Sequence, residues 1–417
     1  MGKIEISINL PDVNVLKVEE DKFQNILIYV EKTEKFTHYR LCGKKITKRH
    51  GHDRERKVRH LSAFGKHTYI IYQPHRYVCE NCDNHPTTTA TPNWHHANSA
   101  YTKDYENHIL LELVNSTIAD VCIKEKISEE SVLGILNRLI ETQVDWSTID
   151  YLGIIGMDEI ALKKGYKDYV TIISSRVAGK LRLLAVLNGR KKAVIKGFLK
   201  RIPKRLKKTV EAICVDLYEG YINAAKEVFK QTMIIVIDRY HVAKLYRGEL
   251  DKFRQKTLRQ LKQELSVRAY EKLKGATLLL RKNNECLAPK EKAVLNELFS
   301  YSPELMEAYR LVLELTQLFN THLSKQTALI KLEEWIRQIK QSGLACFNKF
   351  IATLKKWKSE IANYFIGRNS SGFIEGLNNK VKVLKRRCYG IFNVKHLFQR
   401  LHLDISGYDI LLRKIAF

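Results

Sequence analysis

The chain has 417 residues, 45% of them hydrophobic, enough for two or three domains that each bury a core. Lys and Arg number 72 against 45 Asp and Glu, a formal charge of +27 at pH 7 that is spread along the chain and not confined to a tail. That imbalance argues against an ordinary near-neutral enzyme and for a polyanionic partner, of which nucleic acid is the commonest. No run approaches the roughly 20 uninterrupted apolar residues that a membrane span needs, and MGKIEISINLPDV lacks the apolar core of a signal peptide, so a cytoplasmic location without membrane contact is expected. The eight cysteines (Cys42, Cys79, Cys82, Cys122, Cys214, Cys286, Cys346 and Cys388) are mostly scattered singly. In a reducing compartment they need not form disulfides, and only Cys79 and Cys82 have metal-ligand spacing.

In chain order, residues 1–98 carry short alternating runs such as NILIYVEK and KHTYIIYQPHRYVC, which predict a small β-rich module, and TTTATPNW reads as a linker after it. Residues 99–148 turn helical, with three short helices, and Ser116 to Ile140 reads as helix, turn, helix with Ser128 as an N-cap. The second of those helices would enter a DNA major groove while the first braces it. A purely structural three-helix bundle would read the same, and the basic charge tips the reading toward DNA.

Residues 149–241 alternate strand and helix in the order βββαβαβ, with turns at KKGYK and RVAGK. This is an α/β sheet whose three leading strands differ from a doubly wound order. Residues 242–366 are almost continuously helical and basic, and residues 367–417 open on RNSSGFIEGLNNKVKVLKRRCYG, a turn followed by a basic helix beginning near Phe373.

Carboxylates at strand ends need an explanation in so basic a chain. Asp158 ends GIIGMD, Asp216 ends EAICVD and Asp238 ends IIVID. Ligand sites in α/β sheets lie at the carboxyl ends of strands, whereas a strand-ending Asp also serves as a helix N-cap. Either role fits any one of the three alone, although Asp238, directly before a helical run, suits the cap well. Grouped carboxylates repel one another unless a divalent cation lies between them. Mg²⁺ or Mn²⁺ suits such oxygen ligands, and a pair of ions can act on both sides of a phosphodiester. Glu375, on an otherwise basic helix start, is the candidate third acid, or simply a carboxylate that favours a helix N-terminus.

MDEIALKKGYKDYVTII, VDLYEGYINAAKEVF, IDRYHVAKL and NSSGFIEGLNNKVKVLKRRCYGIFNVKHLFQR together resemble the successive motifs of the ISL-three family of bacterial insertion-sequence transposases, over nearly the whole chain. The resemblance implies a DDE transposase with an α/β RNase H-like catalytic core, interrupted by an all-helical insertion and preceded by a small zinc-ribbon-like β module and a helix-turn-helix domain. It implies that Asp158, Asp216 and Glu375 hold two Mg²⁺ (or Mn²⁺) ions as the catalytic triad. Asp238 and His241 match a signature of an acid or cysteine, two residues and a histidine, and become a supporting pair that steadies the site or the DNA.

The family's zinc domain carries two CxxC pairs. Here Cys79 and Cys82 complete one, while Tyr39 stands where the partner of Cys42 is expected, and His38 is a substitute fourth ligand for Zn²⁺. Lys380, Lys382, Lys385, Arg386 and Arg387 would hold DNA near the metals, and Arg49, Arg54 and Arg56 would follow a phosphate backbone. The implied partners are double-stranded DNA, as transposon ends and target, and a second copy of the chain assembled on it, in a bacterial, nucleoid-associated setting. Two other readings stay open: a sequence-specific DNA-binding protein with an inactive core, and a nuclease of the RNase H superfamily.

Overall fold

The computed structural model describes residues 8, 10–162, 169–230, 233–282, 287–391 and 393–412. It divides into two units, Met1–Glu141 with His402–Phe417 and Thr142–Leu401.

In the first unit the alternating runs form strands β1 (Val13–Glu20), β2 (Ile26–Lys32), β3 (Thr37–His38), β4 (Lys45–Ile46), β5 (Arg49–His52), β6 (Arg56–Ala63), β7 (Lys66–Tyr72), β8 (His75–Val78) and β9 (Thr87–Thr89). They make one sheet of order β1-β2-β7-β6, a β3-β4 hairpin and a small sheet β5-β8-β9. Leu10, Val30, Val58, Ile70, Tyr72 and Trp94 form a core there. TTTATPNW is therefore not a linker. Its β-branched threonines fit the ladder against β8, Ala90 is buried, and Trp94 is only 6% exposed.

The helical stretch forms α1 (Lys103–Leu113), α2 (Ile118–Glu125) and α3 (Glu129–Leu139). Each begins on a hydroxyl cap: Thr102 accepts from the Tyr105 amide, Thr117 from Asp120 and Ser128 from Ser131. Lys126 takes the left-handed conformation (φ 54°), which turns the chain sharply between α2 and α3. The helices pack around Ile109, Leu113, Val121, Val132 and Ile135, joined by Leu403 and Leu411 from the end of the chain. The Asp404 carboxylate accepts from the Asn115 amide at 2.9 Å. The last residues thus belong with these helices, although 367–417 reads in sequence as one piece with the α/β core. The helix over these residues shows its apolar positions but not which partner they meet.

The second unit opens with β10 (Gly153–Ala161), β11 (Tyr169–Val177) and β12 (Lys180–Asn188), continues through α4 (Lys192–Arg201), α5 (Lys204–Lys207), β13 (Val210–Val215) and α6 (Glu219–Phe229), and reaches β14 (Ile234–Ile237). The βββαβαβ order is as expected. Ala178 and Gly179, both at positive φ, make the two-residue turn between β11 and β12, while the turn expected at residues 163–167 lies outside the described residues. The sheet order is β12-β11-β10-β13-β14. β10, β11 and β12 pair antiparallel, and β13 and β14 add in parallel beyond β10. The first and fourth strands of the sheet are thereby neighbours.

Helices then follow one another: α7 (Arg239–Glu264), α8 (Val267–Glu271), α9 (Ala276–Leu279), α10 (Pro289–Tyr301), α11 (Pro303–Asn320), α12 (Lys325–Ser342), α13 (Asn348–Lys356), α14 (Lys358–Ala362), α15 (Tyr364–Gly367), α16 (Gly372–Arg387) and α17 (Val394–Leu411). Apolar residues from Tyr246 through Phe365 join the core under the sheet. The buried Asn363 amide donates to the Ile235 carbonyl on β14 at 2.8 Å, so the returning chain is tied to the sheet edge. None of the described helices is long and apolar enough to cross a membrane.

Candidate active site

On β10, Gly156 and Asp158 are two residues apart and so face the same side of the sheet. A Cβ on Gly156 would lie 2.1 Å from Ile374 Cδ1 and 2.8 Å from Phe373 Cζ. The missing side chain is what lets α16 lie against the strand. One helical turn beyond Ile374, the Asn378 amide donates to Asp158 Oδ2 at 2.5 Å, and Asp158 Oδ1 accepts from the Glu159 backbone at 2.7 Å. Further along α16, Lys385 Nζ donates to the Ala161 and Leu162 carbonyls at 2.7 and 2.6 Å, fastening the helix to the end of β10.

Asp216 follows β13 directly, and its carboxylate accepts from the Tyr218 amide at 2.9 Å. Asp238 follows β14, caps α7 by accepting from the Tyr240 amide at 2.6 Å, and with its other oxygen accepts from both the backbone amide (2.6 Å) and the hydroxyl of Ser371. Ser371 is the residue before α16, so a 3%-exposed carboxylate ties the start of α7 to the start of the helix that carries Glu375. On either side of this joint, Arg239 and Arg368 donate to the Phe319 carbonyl at the end of α11, and Arg368 also reaches the Thr321 carbonyl. Two cations on the last carbonyls of a helix are where its dipole favours them.

Asp158, Asp216, Asp238, His241 and Glu375 all line one cavity of about 1190 Å³, together with Glu159, Asn378, Lys244, Lys382, Lys385 and Arg386. Burial raises the Asp158 pKa, opposed by the Glu159 amide, His241 and the Asn378 hydrogen bond. Burial, reinforced by Asp158, pushes Asp216 up to about 6. Glu159 is committed elsewhere: Arg190 donates to both its oxygens at 2.9 and 2.8 Å and stacks over Tyr169 and Tyr218. Glu375 is exposed on the cavity wall. Among the described residues, only the cysteine group gathers three metal-ligating atoms within 4.8 Å, so the three carboxylates share the cavity without meeting at a point.

The donor set nonetheless suits a hard divalent cation. Asp158 and Asp216 are oxygen donors whose charges burial disfavours and which repel each other, a cost that a cation between them relieves. The Asn378 carbonyl oxygen is buried beside Asp158 with no hydrogen-bond partner. Its amide orientation follows from the carboxylate that accepts from Nδ2. In the sequence Asn378 stands one helical turn after Glu375. Its position four residues beyond Ile374, on the face that meets Gly156, was the signal available.

Of the basic residues expected at DNA, Lys382 and Arg386 are exposed and line the cavity, whereas Lys385 is engaged with the β10 carbonyls. Lys380 and Arg387 lie on the same helix outside the cavity lining. In the first unit, Arg49 and Arg54 are exposed, and Arg56 donates to the Ala97 carbonyl at 2.9 Å.

The cysteines form a separate centre. Cys42 lies in the turn between β3 and β4, Cys79 and Cys82 follow β8, and the Cys42–Cys79 and Cys79–Cys82 sulfur separations are both 3.7 Å. A tetrahedral zinc with Zn–S bonds of about 2.3 Å places its sulfurs about 3.8 Å apart, so the three thiols fit the ion. His38 lies apart from the three thiols. It is exposed on β3, edge-on to Phe36, and outside the group of close ligand atoms. Alternation along the short strand sends His38 outward and its neighbour Tyr39 into the small core beside Cys79.

A mixed sheet with acids around one cavity, in a basic chain that carries a cysteine knuckle, fits the DDE-type transposases, and the DDE transposase model of ISL3 type, described as a transposase, matches residues 155–401, more than half of the chain. Within that class the chain belongs to the ISL3 family. A second model, described as the zinc-finger of transposase IS204/IS1001/IS1096/IS1165, matches residues 41–82. The chain is 26% identical over 393 residues, 93% of each sequence, to the transposase for insertion sequence element IS1001 of Bordetella parapertussis. It is 22% identical over 390 residues, 88% of this chain and 86% of the relative, to the transposase for insertion sequence element IS1557 of Mycobacterium tuberculosis.

Proposed function

We propose that this transposase binds the terminal inverted repeats of an insertion sequence, cleaves phosphodiesters at the ends and joins the 3′-hydroxyls to target DNA, with Asp158, Asp216 and Glu375 as the catalytic triad of an RNase H-like core. The observation that carries the reading is that these three acids, far apart in sequence, line one cavity whose other walls carry Lys244, Lys382 and Arg386. Two half-buried carboxylates at the ends of adjacent strands, one with its pKa pushed up to about 6, stand together inside a chain of net charge +27.

Asp158 and Asp216, with Glu375 from α16, would hold a pair of Mg²⁺ or Mn²⁺ ions. Bound there, the ions supply the Lewis acidity that activates a water or 3′-hydroxyl and stabilises the leaving oxygen. The chain's own residues do the positioning. Asn378 and the Glu159 amide fix the Asp158 carboxylate, the Tyr218 amide fixes Asp216, and Asp238 holds the start of α16 through Ser371. Lys382 and Arg386 neutralise DNA phosphates at the mouth, with Lys380 and Arg387 extending the same basic helix.

In the first unit, α2 and α3 are the helix-turn-helix that reads the repeat, and the cysteine module with Arg49, Arg54 and Arg56 follows the backbone beside it. Most of these contacts are to phosphate, so binding weakens steeply as salt rises. A pair of element ends in one complex calls for a dimer assembled on DNA, in the bacterial cytoplasm.

The test is cleavage of DNA carrying the element's ends. Asp158→Ala, Asp216→Ala and Glu375→Ala should each abolish Mg²⁺-dependent cleavage and leave end binding intact. Normal cleavage by all three variants would reject the triad. Cleavage without strand transfer or end preference would point to a nuclease instead.

A further inference from the structure

We infer that the mouth of the acid cavity holds an unpaired nucleotide, with Tyr389 as the platform for its base and Tyr240 as a second aromatic wall. This rests on the proposed reading of the cavity as the DNA-processing site.

Tyr389 is 98% exposed, the largest exposure of any described large hydrophobic residue, and yet it lines the cavity. Its backbone is constrained. It follows α16 in the left-handed region at φ 51°, which bulky side chains avoid. Its amide donates to the Arg386 carbonyl at 3.2 Å, and the Gly390 amide donates to Lys385 at 2.8 Å. An aromatic ring kept in water on a constrained backbone is a feature associated with function rather than packing.

Tyr240 reaches the same cavity from the start of α7, 60% exposed, with its ring perpendicular to that of His241 at 5.5 Å. The same cavity is lined by Lys244, Lys382 and Arg386, cations suited to the phosphates on either side of a base. The volume, about 1190 Å³, exceeds what metal ions and one phosphate occupy and lies above the ~300–1,000 Å³ of a typical small-molecule pocket.

Only one kind of nucleic acid can use this arrangement. In a duplex the faces of each base are covered by its neighbours, so an aromatic ring can stack only on a base that is extruded or already unpaired. Such stacking is indifferent to sequence because every base has a π-face. The cavity therefore selects for an opened strand next to the bond to be cut, and the helix-turn-helix does not supply that selection.

The experiment uses the full chain without added divalent cation and two probes of equal sequence: a blunt duplex, and one with a single-stranded 3′ extension carrying 2-aminopurine. The wild type should bind the extended probe more tightly and quench its fluorescence. Tyr389→Ala should lose roughly tenfold in affinity for the extended probe, the order expected of one stacked base, with little change for the blunt one. Tyr389→Phe should keep both the preference and the quenching. Equal losses on both probes, or an undiminished preference in Tyr389→Ala, would overturn the proposal. The assay holds no divalent cation and reads binding, not cleavage. A wrong triad therefore shows in cleavage alone, and a wrong nucleotide site shows here alone.

Discussion

The Asp238 carboxylate and the Ser371 backbone amide meet at 2.6 Å, and through that contact the end of the fifth strand of the sheet holds the first turn of the helix bearing Glu375. One carboxylate accepts from two backbone amides and a hydroxyl, which leaves Asp238 few free lone pairs for a cation. With five acids around one cavity, this use of its oxygens supports the proposed division of labour, in which Asp238 positions α16 and Asp158 and Asp216 take the metal.

Asp238→Asn should separate the two roles. The amide presents an NH₂ where a donor already points, so at least one buried hydrogen bond is lost, at a cost of about 1–3 kcal/mol in urea unfolding. Cleavage should fall as α16 loosens, while Mn²⁺ affinity stays near that of the wild type. Asp216→Asn should lose the metal. If Asp238→Asn loses it as completely, the second acid has been assigned to the wrong strand.

The metal-free protein should be less stable at neutral pH than in mild acid because of Asp216. Its pKa is raised in the folded state to about 6 from 3.8, mainly by burial and then by Asp158. A raised carboxyl binds its proton more tightly folded than unfolded. Its contribution to stability is therefore fully present below 3.8 and is lost as the pH climbs through about 6. A shift of about two units corresponds to about 3 kcal/mol at most. Asp216→Asn should accordingly raise the unfolding free energy of the metal-free protein at neutral pH and do little near pH 4. Mg²⁺ or Mn²⁺ should stabilise the wild type at neutral pH and leave the variant unmoved. A variant less stable than the wild type at neutral pH would contradict this.

Gly156→Ala probes the contact between β10 and α16 without touching an acid. The new methyl would lie 2.1 Å from Ile374 Cδ1, so the helix must shift or Ile374 must leave its rotamer, an overpacking that costs about 1–3 kcal/mol. The displacement carries Asn378 and Glu375 with it, and cleavage should drop by at least as much as thermal stability suggests. Adding Ile374→Ala removes the colliding atoms and should recover activity in part. Full activity in the single variant would mean that α16 is not held at this strand.

Why some of this was legible in the sequence and some was not follows from range. The strand order and the strand-end acids show in local patterns, because alternation and apolar runs report the sheet directly. The cap at Ser128 is equally local and forms as read. What escaped depends on partners distant in sequence: Asn378 on Asp158, Ser371 on Asp238, Lys385 on the β10 carbonyls, and Leu403 and Leu411 beneath the three N-terminal helices. TTTATPNW was misread because threonine and proline are common in linkers, and a lone tryptophan does not announce which core receives it.

The incomplete cysteine set offers the sharpest test of the first unit. Cys42, Cys79 and Cys82 supply three corners of a tetrahedron, and Tyr39, where the family's other cysteine is expected, is buried beside Cys79. Partial burial, with the neighbouring thiols, pushes Cys82 up to about 11, so zinc must displace its proton and binding should weaken in acid. Tyr39→Cys should complete the set and tighten zinc binding, measured by competition with a chromogenic chelator, though it costs some packing against Ile46 and Tyr77. His38→Ala should leave zinc content unchanged, because that ring points to solvent. Cys79→Ser should lose the metal and loosen β3, β4 and β8, seen as faster amide exchange there, while the sheet of the second unit keeps its protection. If His38→Ala also lost zinc, the ring would have to swing inward on binding and the three-thiol description would be incomplete.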